Sequence, residues 1–411
     1  MIAMDNEPGI RAFEGLKVLD FCWVGIGPLT TRYLADHGAT VVRVESRGHI
    51  ETLRVAGPYK DNVPGVERSG YFANYNANKY GITLNMSHPK AGDVAKRLVE
   101  WADVVTENFT PGTMERWGLG YEDLKKMKHD IIMFSASMFG RGGPHDRQPG
   151  FGNILSSFSG LVHLSGWPDR PPVPPYGAFT DFFLARLALT SIVAAIDYRH
   201  RTGLGQHIDL SQLEAALQFV APNILDFTTN GHEQMRSGNR SPDAAPHGIY
   251  PCRGEDRWCA VAVNTEEQWA ALCRVMGNPA WCREERFATH LGRKGHEDDL
   301  DQLVGHWTAN YVPEELMSLL QEAGVPAGVV NRCEDLFADP QLTHRNHYIF
   351  MEHEELGLHS FDGTEFRLSA SPARYDHPSP LLGQHNEYVF KELIGMNDDE
   401  LGVLVAEGVL E

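Results

Sequence analysis

The chain has 411 residues, of which 42% are hydrophobic, 22% charged and 10% aromatic, and this composition excludes disordered, fibrous and small disulfide-rich classes. Its 36 Lys and Arg residues against 55 Asp and Glu residues give a formal net charge of −19, which repels nucleic acids and anionic lipids at long range. We therefore expect neither nucleic acid nor membrane as a partner, and we expect two domains because this length exceeds what one hydrophobic core usually organises.

The N-terminal segment and the cysteines indicate a cytoplasmic protein. The six cysteines show no paired spacing, and the opening residues 1–8 lack the basic and apolar regions of a secretory signal. The longest apolar stretch, 182–196, contains Arg186 and is shorter than the ~20 residues that span a bilayer. The sequence thus predicts no membrane segment.

Strand and helix patterns alternate through the first third of the chain. Residues 15–46 predict a strand, a turn, a helix and a second strand, with Pro28 suited to the first helical turn. Further strands are predicted at Ile82–Leu84, Asp103–Thr106 and Asp130–Ala136. This alternation is typical of α/β proteins, so the predicted fold is a doubly wound, mostly parallel sheet covered by helices on both faces.

The middle of the chain changes character twice. Residues 140–176 are rich in Gly and Pro and are predicted to form a loop that belongs to a site. From Asp181 to about His200, apolar residues cover most of the helical circumference, which predicts a helix buried inside the protein. After a break at 236–248, strands and helices from Trp258 onward indicate a smaller α+β domain.

The first turn resembles a dinucleotide-binding fingerprint. Gly25 and Gly27 lie between a strand and a helix, and Glu45 ends the next strand about twenty residues later. However, Thr30 stands where the third glycine belongs, and Pro28 removes a backbone N–H from the turn. An ordinary strand–helix turn is therefore favoured over a nicotinamide or flavin site. No spacing typical of metal ligands or of a hydrolase nucleophile appears, so no metal is expected.

Asp181 opens the most apolar helix of the chain and admits two interpretations. In the first, Thr180 or Asp181 caps the helix and satisfies its free N–H groups. In the second, the helix N-terminus keeps a carboxylate ionised in an apolar site, where it acts as a nucleophile. Residue patterns alone leave both open.

Several segments together resemble the class III CoA-transferases, the family of formyl-CoA:oxalate and carnitine CoA-transferases. The resemblance is collinear over most of the chain and is carried by Gly15–Phe21, Leu34–Glu45, Ala102–Phe109, Gly140–Pro144, Arg201–Gln206, Ala323–Gly328 and Pro380–His385. It implies a large CoA-binding domain from residues 1–225, a small α+β domain from 226–345, and a C-terminal part, 346–411, that returns to the large domain. Two subunits are expected to interlock as rings, as a homodimer or as a heteromer with a related subunit.

The resemblance also assigns roles. The family's catalytic aspartate falls on Asp181, which would carry CoA as an aspartyl thioester between an acyl-CoA donor and an acid acceptor, with no permanently bound cofactor. The positions expected to bind CoA are Val24, Gly25, Ile26, Leu84, Asn85, Met86, Ser87, Asn108, Phe109, Thr110 and Arg116. The Arg116 guanidinium suits a phosphate, although a surface cation at a helix end is the alternative. Asn108 and Phe109 equally suit a strand end that packs on the core.

Some positions depart from the family pattern. Phe151 stands where α-methylacyl-CoA racemases have a histidine, which removes one of two bases, so racemisation is the second hypothesis and a non-catalytic subunit the third. Residues 243–248 replace a run of glycines that closes over the formyl-CoA enzyme's site. We expect Trp23, Phe151 and His247 to line the substrate side. The first turn most resembles transferases for benzylsuccinate-type acids that use succinyl-CoA.

Overall fold

The computed structural model describes residues 10–411; residues 1–9, where the signal pattern is missing, lie outside the described part. The described chain forms two compact units. The large unit comprises the residues up to Val162, Pro174–Glu233 and Thr343–Glu411, and the smaller unit comprises His163–Val173 and Gln234–Leu342. The smaller unit thus includes 163–173, which the sequence-based division assigned to the large domain.

The secondary structure follows the alternating pattern. The strands are β1 (Lys17–Asp20), β2 (Thr40–Glu45), β3 (Tyr80–Thr83), β4 (Val104–Glu107), β5 (Ile132–Ser137), β6 (His207–Ser211), β7 (His247–Pro251), β8 (Trp258–Ala262), β9 (Ala327–Val329), β10 (Tyr348–His353) and β11 (Gly357–Asp362). The helices are α1 (Ile26–Asp36), α2 (Gly70–Asn76), α3 (Ala91–Trp101), α4 (Thr113–Arg116), α5 (Tyr121–Met127), α6 (Gly152–Phe158), α7 (Leu161–Leu164), α8 (Phe179–Thr202), α9 (Gln212–Leu217), α10 (Ala221–Asn230), α11 (Glu266–Val275), α12 (His290–Gly295), α13 (Glu297–Thr308), α14 (Pro313–Glu322), α15 (Cys333–Ala338), α16 (Pro340–His344) and α17 (Asp398–Ala406). Short 3₁₀ turns cover Thr52–Val55, Lys60–Asn62, Gln218–Val220, Ala280–Arg283 and Glu285–Phe287, and a π-helical turn covers Tyr388–Leu393.

The large unit contains a six-stranded sheet in the order β3-β2-β1-β4-β5-β6. Every neighbouring pair is parallel, which confirms the predicted α/β class with a parallel sheet. The strand order reverses between β1 and β4, and such a switch point leaves a crevice at the carboxyl ends of the strands. The hairpin β10–β11 is antiparallel and belongs to the same unit.

Buried side chains fill both faces of this sheet. Leu19 of β1 points into a core that also contains Val389 and Phe390 from the C-terminal segment. Its neighbour Val18 points into the opposite core, which contains the buried side of α8. Because successive strand residues face opposite sides, both faces are apolar, as a sheet covered by helices requires.

Helix α8 is less buried than the sequence predicted. Only one of its sides is buried, through residues such as Leu184 and Ile192, whereas Phe183, Leu187 and Val193 are exposed, so burial around most of its circumference is wrong for this chain. The helix runs for 24 residues and is, by length and composition, apolar enough to cross a membrane, a property that core helices of globular proteins share. Its buried side packs on α1 and β5.

The smaller unit has its own core. The strands β7, β8 and β9 form an antiparallel sheet, and α11 to α15 belong to the same unit. Trp269, Leu272 and Phe287 are buried in this core, which explains how the segment after the break at 236–248 folds as an α+β unit.

Candidate active site

A cavity of about 340 Å³ lies at the switch point of the large unit. It is lined by the segment Trp23–Ile26 that follows β1, by Asn108–Pro111 that follows β4, and by Ser137–Met138 at the end of β5. The loop segment 148–152 and Asp181 complete much of the wall. In doubly wound folds this crevice is where ligands bind, so the fold itself selects this cavity as the candidate site.

Asp181 lies in the first turn of α8 and is 8% exposed. Two glycines let the backbone approach its carboxylate. A β-carbon at Gly25 would lie 3.0 Å from Oδ2 of Asp181, and one at Gly152 would lie 2.9 Å from the same oxygen. Any larger residue at either position would displace the carboxylate, so both glycines are needed for its placement.

The carboxylate of Asp181 has no hydrogen bond or ion pair to another residue between 10 and 411. Burial therefore acts unopposed and raises the pKa of Asp181 to about 7. That the helix N-terminus favours the ionised form of this group stays a prediction. The capping interpretation is wrong, because the N-cap residue is Ala178 without a side-chain cap and the Thr180 hydroxyl donates to the Gly152 carbonyl.

Asn108 joins the two loops that form the floor of the cavity. Its Oδ1 accepts the Trp23 N–H at 2.7 Å, and its Nδ2 donates to the Trp23 carbonyl at 2.6 Å. Phe109 packs edge-on against the Trp23 ring, with 5.9 Å between the centroids. The segment after β1 is thus fixed to the segment after β4.

Arg141 anchors the Gly-rich loop that borders the cavity. Its guanidinium lies 2.8 Å from Glu107 and 2.6 Å from Glu115, and its backbone N–H donates to Asp209 at 3.0 Å. Gly150, further along the loop, packs closely on Met138: a β-carbon at Gly150 would lie 2.2 Å from the Met138 sulfur. The loop therefore reaches Asp181 in a defined position.

Comparisons with known proteins show the family of this chain. Residues 13–386 match the family described as CoA-transferase family III. The chain belongs to CoA-transferase family III. It is 34% identical over 407 residues to a succinyl-CoA--D-citramalate CoA-transferase of Chloroflexus aurantiacus, covering 99% of this chain and 100% of that protein. It is 31% identical over 405 residues to a human succinyl-CoA:glutarate CoA-transferase, covering 98% and 90% of the two chains. A crystal structure of a CAIB/BAIF family protein from Brucella suis superposes with a TM-score of 0.85 at 30% identity, covering 93% of this chain and 99% of that one.

As a family III CoA-transferase the chain is an enzyme that uses acyl-CoA, and the structure brings many of the predicted site residues together. Those that line the cavity with Asp181 are Trp23, Val24, Gly25, Ile26, Asn108, Phe109, Thr110 and Phe151. Phe151 is 65% exposed at the start of α6. These positions come from three separate chain segments and line a single cavity, to which Asp181 adds a fourth segment.

Other predicted positions of the CoA-transferase lie elsewhere. Leu84 is buried in the core, and Asn85, Met86 and Ser87 follow β3, where the Asn85 N–H donates to the Val409 carbonyl. Arg116 is exposed at the end of α4 and donates to the Thr113 hydroxyl. His247 belongs to the smaller unit, where its Nδ1 lies 2.6 Å from the Asn239 carbonyl oxygen. Their part in CoA or substrate binding remains a prediction.

Two features of the CoA-transferase were missed in the sequence. Asp146, in the Gly-rich loop, is the second ionisable side chain that lines the cavity. Glu51, fully buried, accepts the Val24 N–H at 2.8 Å from outside the cavity. Asp146 could have been found from its place in the loop, between glycines and Pro149. No residue near Glu51 in the sequence indicates that its partner is the Val24 N–H.

Proposed function

We propose that this chain transfers CoA from an acyl-CoA donor to a carboxylic acid through an aspartyl-CoA thioester on Asp181. The two relatives given above are named as succinyl-CoA transferases, and we take succinyl-CoA as the donor to test first. The observation that carries the proposal is the unpaired, buried carboxylate of Asp181 in the switch-point cavity.

The proposed reaction has four balanced steps. The Asp181 carboxylate attacks the thioester carbonyl, the C–S bond breaks, and a mixed anhydride and CoA thiolate form. The thiolate then attacks the aspartyl carbonyl and releases the donor acid as a carboxylate. The acceptor carboxylate attacks the aspartyl thioester and again expels the thiolate, which finally attacks the acceptor's acyl carbon. The new acyl-CoA leaves, Asp181 is regenerated, and no net proton is consumed.

The surroundings of Asp181 favour these steps. A desolvated carboxylate with no partner is a stronger nucleophile than a hydrated or ion-paired one, once it is ionised. The helix N-termini of α1 and α8 lie at this cavity and favour negative charge there. The anhydride needs protection from water, and the low exposure of Asp181 supplies part of it.

Chemical trapping tests the proposal. The protein is incubated with succinyl-CoA and then with hydroxylamine, which converts an aspartyl thioester or anhydride into a hydroxamate. We expect peptide mass spectrometry to find the hydroxamate on Asp181 and nowhere else. Asp181→Asn is the matched control because the amide has nearly the same shape and is expected to give no hydroxamate. A hydroxamate at another residue, or none in the wild-type chain with any acyl-CoA of a broad panel, would refute the proposal.

Epimerisation at the α-carbon of an acyl-CoA is the second candidate function, and Asp146 is the observation that favours it. Proton exchange at carbon needs two bases, and Asp146 is a second carboxylate in the cavity. Deuterium uptake from heavy water into 2-methylacyl-CoA, with no acceptor acid present, separates the two functions. A transferase shows no such uptake.

The exposed apolar side of α8 supports assembly with a second copy of the chain. Phe183, Leu187 and Val193 are 47%, 44% and 40% exposed, and Leu225 and Phe227 of α10 are 63% and 58% exposed. Exposed apolar side chains that form a large patch often mark interaction surfaces. We therefore propose a homodimer, with its two chains interlocked as the resemblance to the family implies. Turnover by the purified single chain, with the mass of a dimer by light scattering, checks this and excludes a non-catalytic subunit.

The cysteines support a cytoplasmic location. All six are free thiols, and four of them are buried. Free cysteines without disulfides are usual in a reducing compartment.

A further inference from the structure

The turn that follows β1 contains a residue in an unusual backbone conformation. Val24 has a φ of 62°, in the left-handed region that β-branched residues rarely occupy. The next residue, Gly25, is the one whose backbone approaches the Asp181 carboxylate. The conformation of Val24 therefore bears directly on how the turn meets Asp181, and it persists only if its surroundings hold it.

Glu51 is the group that holds this residue. Its Oε1 accepts the Val24 N–H at 2.8 Å and the Leu53 N–H at 3.2 Å. Its Oε2 lies 3.3 Å from a guanidinium nitrogen of Arg43, and both side chains are fully buried. Arg43 in turn donates to the Cys22 carbonyl at 2.7 Å. The turn is thus attached at Cys22 and at Val24 to one buried ion pair.

We propose that Glu51 is a positioning residue of the CoA-transferase, which acts by holding Val24 in the left-handed conformation that brings Gly25 against Asp181. This role rests on the function proposed for Asp181. Glu51 itself does not line the cavity, so its effect on the reaction passes through the turn.

Glu51→Gln is a sharp test because a carboxylate offers two acceptors and an amide only one. Arg43 faces Oε2 at 3.3 Å as an ion pair without a hydrogen bond, and its positive charge will draw the amide oxygen to that side. The amide nitrogen then faces the Val24 N–H, donor against donor, and Val24 loses its acceptor. Relaxation of Val24 out of the left-handed region is expected to lower kcat/KM about tenfold, since strain of this kind is worth about one factor of ten or more.

A second substitution separates positioning from general loss of structure. Glycine adopts a left-handed φ without cost. If Glu51 acts by holding Val24, the double variant Glu51→Gln, Val24→Gly should recover the kcat/KM of Val24→Gly alone. A merely structural role of Glu51 predicts no such recovery. The assay is the exchange of isotopically labelled succinate into succinyl-CoA, which needs no other acceptor.

Glu67→Gln is the matched control. One Glu67 oxygen accepts from Arg54 and the other accepts the Leu382 N–H, so it has the same kinds of partner as Glu51 but does not contact the turn. We expect it to leave kcat/KM within about twofold of the wild type, as substitutions away from a site do.

Crystal structures of Glu51→Gln and of the wild type complete the test and do not depend on the donor. We expect Val24 to leave the left-handed region and Gly25 to move away from Asp181 in the variant. An unchanged turn, or a tenfold loss that Val24→Gly fails to restore, would overturn the proposal. Absence of exchange in the wild type with succinyl-CoA would count against the proposed donor or function, and the crystal structures would then decide the role of Glu51.

Discussion

Asp20 and Asp181 are both buried carboxylates of the large unit, but their surroundings differ. Asp20 is fully buried beside Lys79, at 3.2 Å, and near Arg43, at 3.9 Å. Burial alone would raise the pKa of Asp20, yet these two cations, together with hydrogen bonds from the Thr31 hydroxyl and the Cys22 N–H, more than offset it and the pKa lies below its ordinary value. Asp181 has no such partner, and its pKa rises to about 7. The structural carboxylate, Asp20, is therefore paired with cations, whereas the carboxylate that lines the cavity, Asp181, is unpaired.

We expect the largest change in the free energy of unfolding when a buried ion pair of the large unit is broken. Arg54 is fully buried and bonds Glu45 through two nitrogens, at 2.8 and 2.9 Å. Arg54→Met removes both hydrogen bonds and leaves that carboxylate with the more distant Arg43 at 3.6 Å, so the free energy of unfolding should fall by about 3–5 kcal/mol, measured by urea unfolding. Arg201→Met, which removes an exposed pair with Asp197, should change it by less than about 1 kcal/mol. Equal effects of the two variants would contradict the contrast.

Substitution of the unpaired carboxylate, Asp181, should change the free energy of unfolding in the opposite direction. Because the folded-state pKa of Asp181, about 7, exceeds the ordinary 3.8, folding is disfavoured as pH rises from about 4 to 7 and the penalty is complete above 7. Asp181→Asn removes this penalty and should raise the free energy of unfolding by about 2 kcal/mol at pH 8, less than the full ~4 kcal/mol because a buried amide also lacks partners. At pH 4 the penalty is nearly gone while the cost of the buried amide stays, so the variant should be about 2 kcal/mol less stable than the wild type there. A variant less stable than the wild type at pH 8 would show that Asp181 is paired after all.

The pH dependence of turnover sharpens the same contrast. If ionised Asp181 is the nucleophile, kcat/KM should fall about tenfold from pH 8 to pH 6, as one group with a pKa of about 7 loses its charge. The measurement is the succinate exchange rate across this range. A flat profile would mean that the carboxylate stays ionised through a partner absent from the single chain.

The smallest effect is expected at Asp146. In a transferase it is a bystander in the cavity wall, so Asp146→Asn should change kcat for CoA transfer by less than about threefold, whereas removal of a general base costs 10²–10⁴. A loss of that larger size would favour the epimerase alternative. The assay is the same exchange reaction, with deuterium uptake measured in parallel.

Much of the fold followed from the sequence because its signals are local. Strand and helix patterns predicted the parallel sheet, and the resemblance led to Asp181, which does lie in the switch-point cavity. The exposed side of α8 could not be predicted, since a helix that is apolar all round has the same sequence pattern whether it packs on a core or on a partner. Glu51 was missed for a different reason: its role depends on the backbone of Val24, and no residue pattern encodes that contact.

The central claim is that Asp181 carries CoA as a thioester, and one measurement addresses it directly. Wild-type protein and Asp181→Ala are each given succinyl-CoA, quenched within one turnover, and analysed intact by mass spectrometry for covalently held CoA. We predict a CoA adduct that maps to Asp181 in the wild type, is removed by hydroxylamine, and is absent from the variant. An adduct of the same amount in Asp181→Ala, or CoA transfer by that variant at the wild-type rate, would contradict the account.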